Sequence, residues 1–167
     1  MDPFAVNPEN IAIVLILLTA ANSAPVIARN LLGRTAAWPV DFGWRFVDGQ
    51  PLFGRSKTFR GLFVAVALAA GAAPMMGLSW RIGAVAAAAS MAGDLLSSFV
   101  KRRLRLAPSS MAPILDQLPE SLFGAVAVSW DLPLGPGEIA VCVAVFTVGQ
   151  MIVSRVAYAL GLRSEPY

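Results

Sequence analysis

The chain has 167 residues, 57% of them hydrophobic and 14% charged, with a mean hydropathy of +0.67, a net charge of +3, no histidine and one cysteine. That balance excludes an ordinary soluble domain, and the absence of histidine excludes His-dependent triads, His metal sites and the usual acid-base catalyst. Cys142 alone excludes an internal disulfide or a cysteine metal cluster. The composition makes the expected class an all-α integral membrane protein with a single domain over residues 1–167.

The first apolar run, about 11–28, is long enough to cross a bilayer at about 1.5 Å per residue. Its leading flank carries Asp2 and Glu9 without Lys or Arg, and no small-residue cleavage site follows, so the run is expected to stay in the mature protein. Near its far end "NSAPV" sets Asn22 close to Pro25. Pro25 cannot donate to the carbonyl of Ala21. Asn22 therefore fills that gap, packs against a neighbouring helix or reaches toward a ligand.

The connection 29–60 follows, with "WPVDFGWRFVDGQPLFGRSKTFRG" over its second half. Gly54 lies among Arg55, Lys57, Thr58 and Arg60, where a bare backbone can approach a ligand closely. The spacing does not make a P-loop, which needs Gly-Lys-Ser/Thr directly after its four-residue gap. What remains is a basic connection feeding the start of a helix, and helix N-termini favour phosphate. The competing reading is that these cations only fix topology or meet anionic lipid heads.

The second run, about 61–78, is separated from the third, about 82–100, by a connection containing Arg81. The third run ends in "GDLLSSFVKRR". Asp94, Ser97, Ser98 and Lys101 stand at i, i+3, i+4 and i+7, which is one helical face. An ionisable residue inside a span is costly and marks a functional site by default; the plainer reading pairs Asp94 with Lys101 or with a cation on another helix. The basic connection 101–116, with Arg102, leads to "LDQLPES" and a fourth run, about 117–134, which is shorter and contains Asp131. Asp116 suits a helix N-cap when considered alone. Antiparallel neighbours would bring it to the depth of Asp94, and two carboxylates without His or Cys suit Mg²⁺, which takes one or two carboxylates plus substrate phosphates. The fifth run, about 139–160, completes five transmembrane helices.

Ten of the thirteen Lys and Arg lie in residues 29–60 and 101–117, Arg81 stands alone in the opposite connection, and Arg155 and Arg163 flank the end of the last run. Five spans with the N-terminus outside and the C-terminus cytoplasmic place every cation except Arg81 inside. The sequence pI of 9.6 thus reflects topology, and no nucleic-acid partner is needed to explain it.

"NSAPV", "PVDFGWRFVDG", "LFGRSKTFRG", "GDLLSSFVKRRLRL" and "LDQL", in this order and spacing, resemble the CDP-archaeol synthases, a family distantly similar to bacterial phosphatidate cytidylyltransferases. The resemblance runs from about Asn22 to Leu118, and "GRSKTFRG" and "GDLLSSFVKRR" are its specific parts. It implies an Mg²⁺-dependent enzyme that transfers CMP from CTP to the phosphate of a membrane lipid and releases pyrophosphate. By position, Asp94 and Asp116 match the metal-binding acids, and Lys57, Thr58, Arg60, Ser97 and Lys101 match polar motif positions. Pro119 stands where the family commonly has an acid, with Glu120 adjacent, and Arg55 stands where it often has another.

The expected catalytic set is Asp94, Asp116, Lys57 and Lys101, with both aspartates as metal ligands. Asn22, Gly54, Thr58 and Arg60 are expected to contact the nucleotide or phosphate from the first half of the chain, and Ser97, Ser98, Arg102 and Gln117 from the second. The partners are CTP, a lipid phosphate and membrane lipids, the location is the inner plasma membrane with the site facing the cytoplasm, and oligomeric state stays open. A lipid phosphate is already mostly dianionic at neutral pH, its second pKa being about 6, so no strong base is required. The competing class is a small transporter or channel with Asp94 in its ion path, although neither inverted repeats nor further midplane polar residues support it.

Overall fold

The computed structural model of the chain describes residues 7–33, 35–106 and 112–159; Arg34, Arg163 and the middle of the second basic connection lie outside them. Among the described residues five α-helices follow one another: α1 (Pro8–Leu32), α2 (Phe59–Ala72), α3 (Trp80–Arg103), α4 (Pro113–Val128) and α5 (Pro136–Ala159). A 3₁₀ turn, Ala73–Met76, extends α2 and stops at Gly77, whose φ of 74° is left-handed and suits a residue without Cβ. Among the described residues there is no strand. Isolated bridges pair Pro39 with Thr58 and Arg45 with Pro51 in the α1–α2 connection.

Local chemistry explains where the helices begin. The Asn7 side chain accepts from the backbone N–H groups of Glu9 and Asn10 at the start of α1, Thr58 from Gly61 at α2, and Ser79 from Arg81 at α3. Among the described residues four helices are long and apolar enough to cross a membrane: α1, α2 with its 3₁₀ turn, α3 and α5. The chain is thus a multi-pass membrane protein. With 16 residues, α4 spans roughly 24 Å, less than a typical hydrocarbon core of about 30 Å. It begins at Pro113 and ends at Val128, earlier at both ends than the run 117–134 read from the sequence. Proline is well placed in a first helical turn, and the residues after Val128 form turns ahead of Pro133.

Packing relies on small residues. Between membrane helices lipid supplies no hydrophobic driving force, so close van der Waals approach has to hold them together. Ala21 and Ala24 of α1, Ala65 and Ala69 of α2, and Ala87 and Met91 of α3 form one buried cluster. Gly83 of α3 lies against the backbone carbonyl of Ala69, and Gly124 of α4 lies against Leu18 and Ala86. A second cluster joins Val14, Leu17 and Leu18 of α1 to Val128 and to Cys142 and Phe146 of α5. Phe63, Ile152 and Val153 remain exposed, as lipid-facing side chains should.

The helices alternate in direction. At one end the backbone N–H of Asn7 donates to Glu138 in the first turn of α5. At the other, Arg60 near the start of α2 donates to the carbonyls of Gly33 and Thr35 just past α1, and Lys101 near the end of α3 pairs with Asp116 in the first turn of α4. This second end carries the site.

Candidate functional site

The α1–α2 connection is folded rather than loose. Asp41 organises it by accepting from the backbone N–H groups of Gly43 (2.9 Å), Phe53 (3.0 Å) and Gly54 (2.8 Å). Burial works against ionisation of Asp41, but the N–H groups of Gly54, Gly43 and Phe53 outweigh it and hold the carboxyl below its ordinary value. Val40 donates to the Lys57 carbonyl and Phe59 to that of Trp38, so Lys57 is delivered at the mouth of α2 by a fixed backbone. Arg103, at the end of α3, clamps the same connection. Its guanidinium lies 4.8 Å from the Phe46 ring centroid and 4.6 Å from that of Phe99, pairs with Asp48 at 2.8 Å and donates to the Pro51 carbonyl.

Lys57 reaches Asp94 of α3, its Nζ lying 2.7 and 2.6 Å from the two carboxylate oxygens. Lys101, one face-repeat further along α3, meets both oxygens of Asp116 at 2.9 and 2.8 Å. Asp94 is therefore paired across elements with Lys57, leaving Lys101 to Asp116. Asp116 is not an N-cap either: Ala112 holds that position, and Asp116 sits inside the first turn. A third polar pair lies deeper. Asn22 Nδ2 donates to both oxygens of Glu120 at 2.7 and 2.8 Å, and Glu120 is 2% exposed, within electrostatic reach of Asp94, Lys57 and Asp116.

The remaining sequence candidates fall into distinct roles. Thr58 caps α2, and Gly54 adopts a φ of 94° while donating its N–H to Asp41. Ser97 is buried and donates back to the Gly93 carbonyl, and Ser98 is buried beside it. Gln117 leaves its side-chain oxygen buried without a partner, and Arg102 is half-buried at the end of α3. Arg60 lines a cavity of about 540 Å³ with Arg29, Arg55, Ser56 and Thr58, against an apolar wall of Pro25, Val26 and Trp38.

A family model described as CarS-like, CDP-archaeol synthase, matches residues 78–167. The chain is 35% identical over 158 residues to the CDP-archaeol synthase of Sulfolobus acidocaldarius, covering 90% of this chain and 91% of that one. It is 32% identical to the CDP-archaeol synthase of Thermofilum pendens, covering 88% of this chain and 75% of the relative. The chain belongs to the CDP-archaeol synthase family. A solved structure of an intramembrane enzyme for archaeal membrane lipids biosynthesis superposes with a TM-score of 0.72 at 32% identity, covering 84% of this chain and 90% of the other. The protein is thus a cytidylyltransferase, and a transporter or channel is not favoured.

In this CDP-archaeol synthase family member, two residues central to the site's architecture were not singled out from the sequence. Glu120 stands there only as the acid adjacent to Pro119. Its spacing of four from Asp116, with Asn22 near the same end of the first run, was the available signal. Arg103 reads only as one cation in a basic run, and nothing local announces its seat between two phenyl rings.

The donor set also bears on a metal ion. Among the described residues no three His, Cys, Asp or Glu groups converge to cage one. Asp94 and Asp116 instead hold lysine ammonium groups between their oxygens, and carboxylate oxygens are the donor type a hard cation takes. Such a pair fits Mg²⁺ that arrives with substrate phosphates, which usually keeps waters and takes only one or two carboxylates.

Proposed function

We propose that this end of the bundle transfers CMP from CTP to the phosphate of an archaeol-type ether lipid, forming a CDP-lipid and pyrophosphate. The observation that carries the reading is the pair of Lys-carboxylate contacts on α3, Lys57–Asp94 and Lys101–Asp116, with the buried Asn22–Glu120 pair deeper in the bundle. A non-bridging oxygen of the lipid phosphate attacks the α-phosphorus of CTP, the bond from that phosphorus to the α–β bridging oxygen breaks, and pyrophosphate leaves with the electron pair. Both reactants are polyanions, so the work lies in screening and alignment rather than in moving a proton.

The chain's residues divide that work. Asp94 and Asp116 are the proposed Mg²⁺ ligands, and the ion's contribution is to neutralise charge between the attacking phosphate and the triphosphate. Lys57 and Lys101 turn their ammonium groups from the carboxylates to phosphate oxygens, where fixed positive charge stabilises the transition state more than the ground state. Arg60, with Arg29 and Arg55, lines a cavity whose apolar wall of Pro25 and Val26 suits an amphiphile's phosphate. Asn22 holds Glu120 through both carboxyl oxygens beneath the two lysine–aspartate pairs.

The proposed topology has α4 as a fifth, shorter crossing, with the N-terminus outside and the site at the cytoplasmic face of the plasma membrane. Arg29, Lys57, Arg60 and Lys101 to Arg103 at the site end, against Arg81 at the other, support this orientation. The test is purified protein in lipid with labelled CTP, Mg²⁺ and a panel of lipid phosphates. A CDP-lipid should form fastest from archaeol-type phosphate, with phosphatidic acid as the comparison. Folded protein that makes no CDP-lipid from any member would overturn the reading.

A further inference from the structure

The α1–α2 connection displays an unusual amount of apolar surface for a segment outside the spans. Trp38 is 70% exposed, Phe42 71%, Trp44 72% and Val47 94%. Large apolar side chains exposed together in one short segment point to a contact with something apolar. Phe42 also has a φ of 48°, a left-handed backbone that is costly for a bulky residue and persists only where its surroundings hold it.

Two contacts fix the depth of this surface. The Phe42 ring lies 5.2 Å from that of Phe59, the first residue of α2, so Trp38 and Phe42 sit beside the mouth of a span. The Phe46 ring meets Phe99 of α3 edge-on at 5.4 Å, and Phe99 lies one turn before the end of that helix, about 6 Å inside it. The Arg103 clamp to Asp48 and Pro51 holds the connection in that posture. It is therefore strapped flat against the rim of the bundle instead of standing away from it. Arg45 and Arg55, exposed in the same segment, supply charge that suits anionic head groups. At the opposite end Trp80 opens α3 and Trp130 follows α4, both exposed, and Trp38 accepts from the backbone N–H of Phe59 at the start of α2.

We infer that the α1–α2 connection lies in the head-group to acyl-chain boundary of the bilayer the chain spans, with Trp38, Phe42, Trp44 and Val47 as its lipid-facing anchors. Amphipathic rings at span ends settle at that level, the apolar body in lipid and the indole N–H among head groups. The same strap carries Lys57 to Asp94, so its depth sets the plane at which a lipid phosphate meets the site. This last consequence rests on the proposed reaction; the membrane contact itself does not.

The experiment uses the full chain in lipid nanodiscs, as a Trp80→Phe/Trp130→Phe variant that keeps only Trp38 and Trp44. Lipids brominated high on the acyl chain should remove about half or more of the emission, and aqueous acrylamide should quench it weakly. Strong acrylamide quenching with no effect of brominated lipid would overturn the inference. So would protection from both quenchers that fades as protein is diluted in lipid, since a second copy would then cover the surface. If that variant does not fold, subtracting the quenching of Trp38→Phe/Trp44→Phe from that of the natural sequence gives the same reading. A Trp38→Ser/Trp44→Ser chain should raise KM for the lipid phosphate several-fold and leave KM for CTP unchanged; quenching that holds while this split fails would sink the proposed substrate geometry and leave the membrane contact standing.

Discussion

Gly93 of α3 presses against the backbone of Pro119 and Glu120 in α4, so closely that a Cβ at this position would collide with the Pro119 carbonyl. The contact sets the spacing of the helices that carry Asp94 and Asp116. A flexible side chain could yield to a methyl group; a backbone carbonyl cannot without moving its helix. Gly93→Ala should cost about 1–3 kcal/mol by overpacking and should lower CDP-lipid formation at least in proportion. Gly71→Ala and Gly149→Ala, whose Cβ positions are open, should be neutral or slightly stabilising. Thermal unfolding in detergent beside turnover in nanodiscs separates these outcomes; an unperturbed Gly93→Ala would show that the two helices do not need this approach.

The lysine–carboxylate pairs give a sharper contrast. Asp94→Asn and Asp116→Asn should each lower turnover by about a hundredfold or more, the usual scale for a group that stabilises transition-state charge. Reversing a pair, as Lys57→Asp with Asp94→Lys, keeps opposite charges facing across the same gap. It should recover stability relative to either single change and leave turnover lost. Substantial recovery of activity in the reversed pair would mean that the contact is structural only.

Asn22 and Glu120 form a polar pair inside an otherwise apolar bundle. Asn22→Val removes the amide that donates to both Glu120 oxygens, and a buried acceptor deprived of its donor costs about 1–3 kcal/mol, more when charged. Adding Glu120→Gln should relieve part of that cost, so the double variant should be more stable than the two single losses predict. A thermodynamic cycle measures the coupling directly. Strict additivity would mean the two residues do not support one another.

Asp41 makes the strap sensitive to acid. Burial opposes its charge, but the Gly54, Gly43 and Phe53 N–H groups prevail, so its folded value lies below the ordinary 3.8. A carboxyl with a depressed folded pKa contributes stability that is fully present above the unfolded value and is lost as pH falls through the folded value. The strap should therefore stay closed at neutral and mildly acidic pH and loosen only below 3.8. Emission from Trp38 and Trp44 in the Trp80→Phe/Trp130→Phe chain should show that step. Asp41→Asn should loosen the strap at neutral pH and abolish the step; an unchanged acid profile would place its cause elsewhere.

Much of this molecule is legible along the chain because membrane insertion is governed by local composition. Runs of apolar residues near the required length, and cations gathered in two of the connections, give helices and a charged end of the bundle without knowledge of any long-range contact. The face of Asp94, Ser97, Ser98 and Lys101 follows from helical periodicity alone. Which cation meets which carboxylate is another matter. Lys57 and Asp94 are 37 residues apart, Asn22 and Glu120 are 98 apart, and these pairings exist only because small residues let α1, α3 and α4 close on one another. Arg103 likewise became a clamp only once a connection from the first half of the chain folded back over the end of α3. Composition determined that there would be a charged rim on an apolar bundle; the three-dimensional packing decided the partners, because a charge at the edge of lipid takes whichever counter-charge the backbone brings within reach.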